Sequence, residues 1–208
     1  MNPIWAFGKV DFTFLFDWEV TMHKSIKHLL EAHTKMFAVL AEFNHQFREF
    51  RLGKDLDHAL IESILDYLNR SAQFNHHQAE DEMHQLLCSR YPVAISKLSD
   101  IPLEHERLFF LCDALKEALS DVASDAELPR MWLVSVAKEY ENAQLRHMHM
   151  EEDVLFPLAE QYFTKEDWIE VHTRVSLGKN KEFDRIEAAD IEDLQQDIAT
   201  WSDDKIHS

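Results

Sequence analysis

The sequence predicts an all-α protein, an up-down-up-down four-helix bundle with a C-terminal helical extension. Only 3 glycines and 5 prolines occur in 208 residues, too few for the frequent turns of a β-rich chain. Apolar residues also recur at the 3.6-residue spacing of helices that bury one face. Because 46% of the residues are hydrophobic, the chain can bury a sizeable core. We expect the bundle, with its N-terminal lead-in, at residues 1–163 and the extension, packed on the bundle, at 164–208.

The first half of the chain contains two long amphipathic segments. Helix A is expected over about residues 20–50, with an apolar stripe that includes Leu30 and Phe37. Gly53 then interrupts the pattern. Helix B is expected over about residues 57–88, where the apolar residues again follow one face.

The second half contains the other two bundle helices. Helix C carries the stretch LEHERLFFLCDALKEAL, and we expect it to start near Pro92 with a kink at Pro102. Helix D begins near Pro129, a favoured first-turn position, and runs to about Tyr162 with a kink at Pro157.

The extension is predicted to be helical as well. A helix begins at Thr164 and stops near Gly178. A further apolar stripe, most simply another helix on the bundle, comprises Phe183, Ile186, Leu194, Ile198 and Trp201.

Charge and cysteine content restrict the function. A formal charge of −18 opposes binding to nucleic acid and to anionic membranes, and it attracts cations. Two cysteines do not make a disulfide framework, and no apolar run approaches the length of a membrane span. The apolar N-terminus lacks the basic residues of a signal peptide. We therefore expect a cytoplasmic protein.

The 13 histidines are the unusual feature, and helical phase separates them. The pattern H-x-x-x-E occurs four times, but most such pairs are solvated contacts on a helix surface. At about 100° per residue, His45 and its Glu49 turn away from the core stripe of helix A. His33, His76, His105 and His147 lie on core faces, and Glu80 and Glu151 each follow one turn after a histidine.

Height along the bundle selects the same residues. Two residues at one height on consecutive helices are equidistant from the connection between them. The midpoint of His33 and His76 falls beside Gly53, and that of His76 and His105 beside Pro92. The midpoint of His105 and His147 falls in the linker SDVASDAE. His58 and Glu62 pass the phase test but lie about 27 Å from this layer, five turns away.

The selected set suits a metal. The candidate ligands are His33, His76, Glu80, His105, His147 and Glu151. A hydrogen-bonded network is the alternative, but unpaired buried polar groups cost about 1–3 kcal/mol each, and cations offset this cost better. Six nitrogen and oxygen ligands without thiolate exceed what one zinc takes and suit iron or manganese. Two carboxylates can bridge two metals.

The set resembles the hemerythrin-like family, also called the HHE cation-binding domain. The resemblance covers about residues 20–162 and depends most on EEDVLFP after a helical histidine. It implies two iron ions in a non-haem di-iron centre with carboxylate bridges. Oxygen carriers of the family have a second histidine where this chain has Ile101, and their last acid is an aspartate one residue later than Glu151. The four-His, two-Glu set looks more like the iron-centre repair proteins of nitrosative stress, whose Cys-containing extension is not found here.

Two functions remain open. In the first, the irons bind or reduce a small diatomic molecule or peroxide, with electrons from a donor that the sequence does not identify. Tyr140, two turns before His147, either donates a hydrogen bond to the bound molecule or is a plain core residue. In the second, the protein is a non-enzymatic iron or oxygen sensor, or a metal store, read out by a partner through the segment after Thr164.

Overall fold

The computed structural model describes residues 22–71, 76–92, 96–123 and 129–178, and every regular element in these ranges is helical. The α-helices are α1 (Lys24–Arg51), α2 (His58–Ser71), α3 (His77–Arg90), α4 (Ile101–Ala123), α5 (Arg130–Met150), α6 (Phe156–Tyr162) and α7 (Lys165–Gly178). A π-helical segment, Glu151–Leu155, joins α5 to α6. The predicted all-α fold is confirmed.

The helices form a bundle of four rods. Helix α1 is the first rod, α2 and α3 are the second, α4 is the third, and α5 to α6 are the fourth. The first rod packs against α2 and α5, and α4 packs against α2, α3 and α5, so each rod contacts its neighbours around a closed ring. Gly53 ends the first rod with φ at 101°, a conformation that favours glycine.

Two apolar clusters divide the interior. One is built mainly from α1, α2, α4 and α5 and includes Met36, Leu108 and Met148. The other lies toward the opposite end and includes Ile26 and Met83. The proposed ligand residues lie in sequence between members of the two clusters, so the polar layer is closed off by hydrocarbon on both sides.

Helix C begins later than predicted. Helix α4 starts at Ile101 rather than near Pro92, and Pro102 lies in its first turn. Asp100 accepts hydrogen bonds at this end, from the backbone N–H of Leu103 through its side chain and from that of Glu104 through its carbonyl. Because first-turn N–H groups lack helical partners, a proline there breaks no hydrogen bond and produces no kink. Instead, the connection between the second and third rods is asymmetric, because the third rod starts at Ile101 and not near Pro92.

The fourth rod is irregular before Pro157 rather than at it. The π-helical turn covers Glu151–Leu155, and the N–H of Phe156 bonds to the carbonyl of Glu151. Pro157 then occupies the first turn of α6. The π-helical turn is wider than an α-helical turn and accommodates Pro157, which lacks an N–H, so the rod continues as a helix beyond it.

Helix α7 begins where the sequence predicts, and its described range is Lys165–Gly178. Thr164 and Asp167 cap its start reciprocally: the Thr164 hydroxyl accepts from the Asp167 N–H (3.2 Å), and Asp167 accepts from the Thr164 N–H (2.9 Å). Trp168 and Val171 are buried, and the helix packs against α3. The stripe predicted at Phe183–Trp201 lies outside the described residues, and the domain boundary at residue 164 stays a prediction. None of the described helices could cross a membrane.

Asp167 is predicted to make the docking of α7 sensitive to acid. Burial alone would raise its pKa, but hydrogen bonds from Tyr91, Thr164 and Arg90 outweigh burial and lower the pKa to about 2, from 3.8. A carboxylate whose folded pKa is depressed stabilises the fold above its unfolded pKa. This contribution is full above about pH 5 and is lost as the pH falls toward about 2.

Chemical denaturation of wild type and Asp167→Asn at several pH values tests this. We expect the variant to be less stable by about 1–3 kcal/mol at neutral pH, with the difference shrinking below about pH 4. The exposed neighbour Glu166 provides the control, Glu166→Gln, which should change little. A stability difference that stays constant down to about pH 2 would contradict the assignment.

Candidate metal centre

The structure brings all six predicted residues into one buried layer with contributions from every rod. Helix α1 supplies His33, the start of α3 supplies His76 and Glu80, α4 supplies His105, and the fourth rod supplies His147 and Glu151. None of the six is more than 8% exposed, and His33, Glu80 and Glu151 are completely buried. The four histidines selected by height thus lie close together, and that these six residues bind a metal stays a prediction.

The first group of ligand atoms lies between α1 and α3. The Nε2 atoms of His33 and His76 are 2.9 Å apart. Oε1 of Glu80 is 3.0 Å from His76 Nε2, and Oε2 of Glu151 is 3.4 Å from His33 Nε2. The ligand atoms of these four residues all lie within 4.8 Å of one another, close enough for one cation.

The second group lies toward α4 and α5 and uses the other oxygen of each glutamate. Oε1 of Glu151 is 3.1 Å from His147 Nε2 and 3.6 Å from His105 Nε2. Oε2 of Glu80 is 3.5 Å from His105 Nε2. Each glutamate thus presents one oxygen to each group, which is the geometry of a carboxylate that bridges two cations.

The separations suit shared coordination better than hydrogen bonding. Two atoms that are each about 2.1 Å from one ion lie about 3.0–3.4 Å apart at tetrahedral or octahedral angles. All four carboxylate oxygens of Glu80 and Glu151 lack a hydrogen-bond partner, as do Nε2 of His105 and Nε2 of His147. Buried polar atoms are nearly always paired, so six orphaned atoms that face one another fit a metal site.

Carboxylates outside the layer orient three of the histidines. Each accepts a hydrogen bond from a ring Nδ1–H at 2.9–3.0 Å, and the pairs are His33–Glu152, His105–Asp81 and His147–Glu104. A neutral imidazole with its proton on Nδ1 leaves the lone pair of Nε2 directed into the layer. The sequence analysis missed these three acids, although each is adjacent in sequence to a candidate ligand.

The same carboxylates control protonation of the site. Burial alone would lower the pKa of the histidines, but hydrogen bonds to carboxylates raise it to about 11 for His33 and His105 and to about 9 for His147. Burial and the nearby Glu80 oppose ionisation of Glu151, yet the neighbouring His105 and His147 lower its pKa to about 2. A cation that binds here displaces protons from the imidazoles.

His77 also enters the layer, although it is not among the six candidate ligands of the sequence analysis. It is only 9% exposed, and its Nε2 is buried without a hydrogen-bond partner. Its ligand atom lies within 4.8 Å of those of Glu80, His105 and His147. The adjacent histidines His76 and His77, at the start of one helix, were the feature of the sequence that could have indicated this.

The other described histidines lie away from the layer. His23 caps α1 and stacks on Trp168 at 3.9 Å, which matches its predicted place at the core edge. His84 bonds to the carbonyl of Ser99, whereas His149 is exposed. The remaining four, His28, His45, His58 and His172, are exposed or only partly buried.

Two pockets lead toward the second group. One, of about 370 Å³, lies between the second and third rods and is lined by His77, His105, Tyr140 and Gln144, among others. The other, of about 420 Å³, lies between α4 and α5 and reaches His147. Tyr140 is fully buried, burial raises its pKa well above 10, and its hydroxyl accepts a hydrogen bond from Gln144 (3.1 Å).

Comparison with known proteins agrees with the geometry. A sequence model of the hemerythrin HHE cation-binding domain matches residues 24–159 and, in a second match, residues 96–206. Searches of curated proteins and of solved structures gave no match. The matched region covers most of the chain and contains every residue of the layer, so the chain belongs to the hemerythrin HHE cation-binding domain family and is a metal-binding protein.

Proposed function

We propose that the protein holds two iron ions in this layer and uses them to bind or reduce a small molecule such as O2, NO or peroxide. His33 and His76 would hold the first ion, and His105 and His147 the second. Glu80 and Glu151 would bridge the two. The division of the glutamate oxygens between the two groups carries this proposal, because one cation could not use all four.

The donor atoms favour iron over zinc. Imidazole nitrogens and carboxylate oxygens make up both groups of possible ligands, and no cysteine belongs to either. A structural zinc site is usually closed by four ligands that include thiolates, whereas imidazole with carboxylate suits iron and also manganese. Two divalent ions would contribute four positive charges, against five negative charges from the two glutamates of the layer and the three outer carboxylates.

The surroundings favour a small ligand. Iron, when bound, supplies reversible one-electron chemistry and a coordination position for a small molecule. Apolar clusters on both sides of the layer keep bulk water away from it. Both described pockets reach the second group, and residues of the first group line neither. Tyr140 and Gln144 add a phenol and an amide to the wall of the pocket, where they can hydrogen-bond a bound oxygen atom.

Removing proposed ligands should remove metal. Protein purified without oxygen and loaded with Fe²⁺ should contain about two irons per chain, and His76→Ala or His147→Ala should contain one or fewer. Elemental analysis after gel filtration gives the ratio, and circular dichroism checks the fold.

The matched control is His58→Ala, which removes a histidine of the same H-x-x-x-E pattern on the same rod but outside the layer. It should keep about two irons. Equal loss of iron in His58→Ala and His76→Ala would sink the proposed ligand set.

The pocket beside His77 should serve as a route for small ligands. Oxidised, iron-loaded protein should show charge-transfer absorption that azide changes, and the reduced protein should bind NO. Gln78→Trp places a bulky ring at the pocket wall and should slow NO binding several-fold in stopped-flow measurements. Ser89→Trp, on the exposed face of the same helix, should leave the rate unchanged. Unaltered spectra with azide and with NO would argue against ligand binding.

A non-enzymatic sensor is the second candidate, and the position of α7 favours it. Helix α3 begins at the layer with His77 and Glu80 and ends at Arg90, which binds Asp167 and Glu170 of α7. Loss of metal from one end of α3 can therefore weaken the docking of α7 at the other.

Hydrogen exchange tests the sensor function. Iron removal should raise exchange in α7 and leave the start of α5 unchanged, because α5 enters the bundle far from the layer. Asp167→Asn should give the high exchange rate even with iron bound. Equal protection of α7 with and without iron would contradict sensing through this helix.

A further inference from the structure

His77 lies next to a proposed ligand but points to the other metal position. Adjacent residues on a helix differ by about 100° in direction. His76 precedes α3 and approaches His33, with ring centroids 4.8 Å apart. His77 is the first residue of α3 and approaches the two histidines of the second group instead. A single turn of chain thus supplies an imidazole to each side of the layer.

The contacts of His77 are those of a residue inside the site. Its ring stacks on that of His105, with centroids 3.6 Å apart and planes 9° from parallel. It meets the ring of His147 edge-on at 5.5 Å. Its Nε2 is buried without a hydrogen-bond partner, an unfavourable state that a bound cation would relieve.

His77 is also held less firmly than its neighbours. His105 and His147 each donate an Nδ1–H to a carboxylate, whereas no carboxylate in the described part of the chain hydrogen-bonds to His77. The ring lines the pocket of about 370 Å³, whose rim includes Phe109 and Asp81, with exposed fractions of 45% and 42%. A molecule that enters by this pocket meets His77 beside the second position.

We propose that His77 is a third imidazole ligand of the second metal position and that an incoming small ligand displaces it. This inference rests on the proposed two-metal site. Two parallel rings cannot both direct their in-plane lone pairs at one ion, so His77 would rotate out of its stack on His105 to bind and return to the stack when displaced. Because no outer carboxylate fixes it, His77 can turn away at a lower cost than His105 or His147.

The test measures Fe²⁺ affinity without oxygen, by competition with a chelator, in wild type, His77→Ala and His77→Gln. We expect two binding steps in wild type and a second step weakened about tenfold or more in both variants, with the first unchanged. Added imidazole should restore the second step in His77→Ala, because it fits the space that the side chain leaves. His84→Ala, seven residues further along α3 and outside the layer, is the control.

Displacement has a separate readout. With both sites saturated with iron, azide should bind His77→Ala more tightly than wild type, because no ring has to be displaced. Imidazole should compete with azide in this variant.

The outcomes separate the two proposals. Fewer than two irons in wild type would refute the two-metal site itself. Two irons in wild type with an unchanged second step in His77→Ala would refute only the role of His77. A weakened second step that imidazole does not restore would show a structural role and overturn the inference. Unchanged or weaker azide binding would overturn displacement.

Discussion

The structure depends on two carboxylates, Glu80 and Glu151, that are completely buried in the middle of an apolar bundle. A buried charge costs several kcal/mol unless opposite charge and hydrogen bonds surround it. The layer meets this requirement with imidazoles from all four rods, and bound cations would meet it more fully because four carboxylate oxygens have no hydrogen-bond partner. The hydrophobic clusters on either side then strengthen every electrostatic interaction in the layer by excluding water.

A second set of acids hydrogen-bonds to histidines on neighbouring rods. Each follows or precedes a proposed ligand, so helical phase directs it sideways to a histidine on a different rod. Glu152 of the fourth rod accepts a hydrogen bond from His33 of the first rod. In the same way, Asp81 of the second rod accepts from His105 of the third, and Glu104 of the third accepts from His147 of the fourth. The sequence elements that form the layer therefore also fix the directions of its imidazoles, and orientation of the ligands does not depend on a separate part of the chain.

Phase and height predicted the fold and the members of the layer because straight rods with short connections preserve height from one helix to the next. The prediction failed where a connection is asymmetric: α4 starts at Ile101, with its proline accommodated in the first turn. Phe109, one turn after the buried His105, is 45% exposed at the rim of a pocket. His77 was missed because only one residue of an adjacent pair was expected to face a single site. The two groups of ligand atoms lie in different directions from this pair, so both members reach the layer, and a periodic pattern in one helix cannot show this.

Within the described residues, the two sides of the layer differ in their surroundings. His33 is completely buried, is braced by Glu152 and packs against the ring of Phe156 at 5.6 Å. The second group instead borders both described pockets. If both positions hold iron, the first is suited to keeping its ion and supplying an electron, whereas the second can exchange a ligand with solvent. Glu80 and Glu151 each present one oxygen to either group, so the asymmetry arises from the surroundings of each group and not from the glutamates.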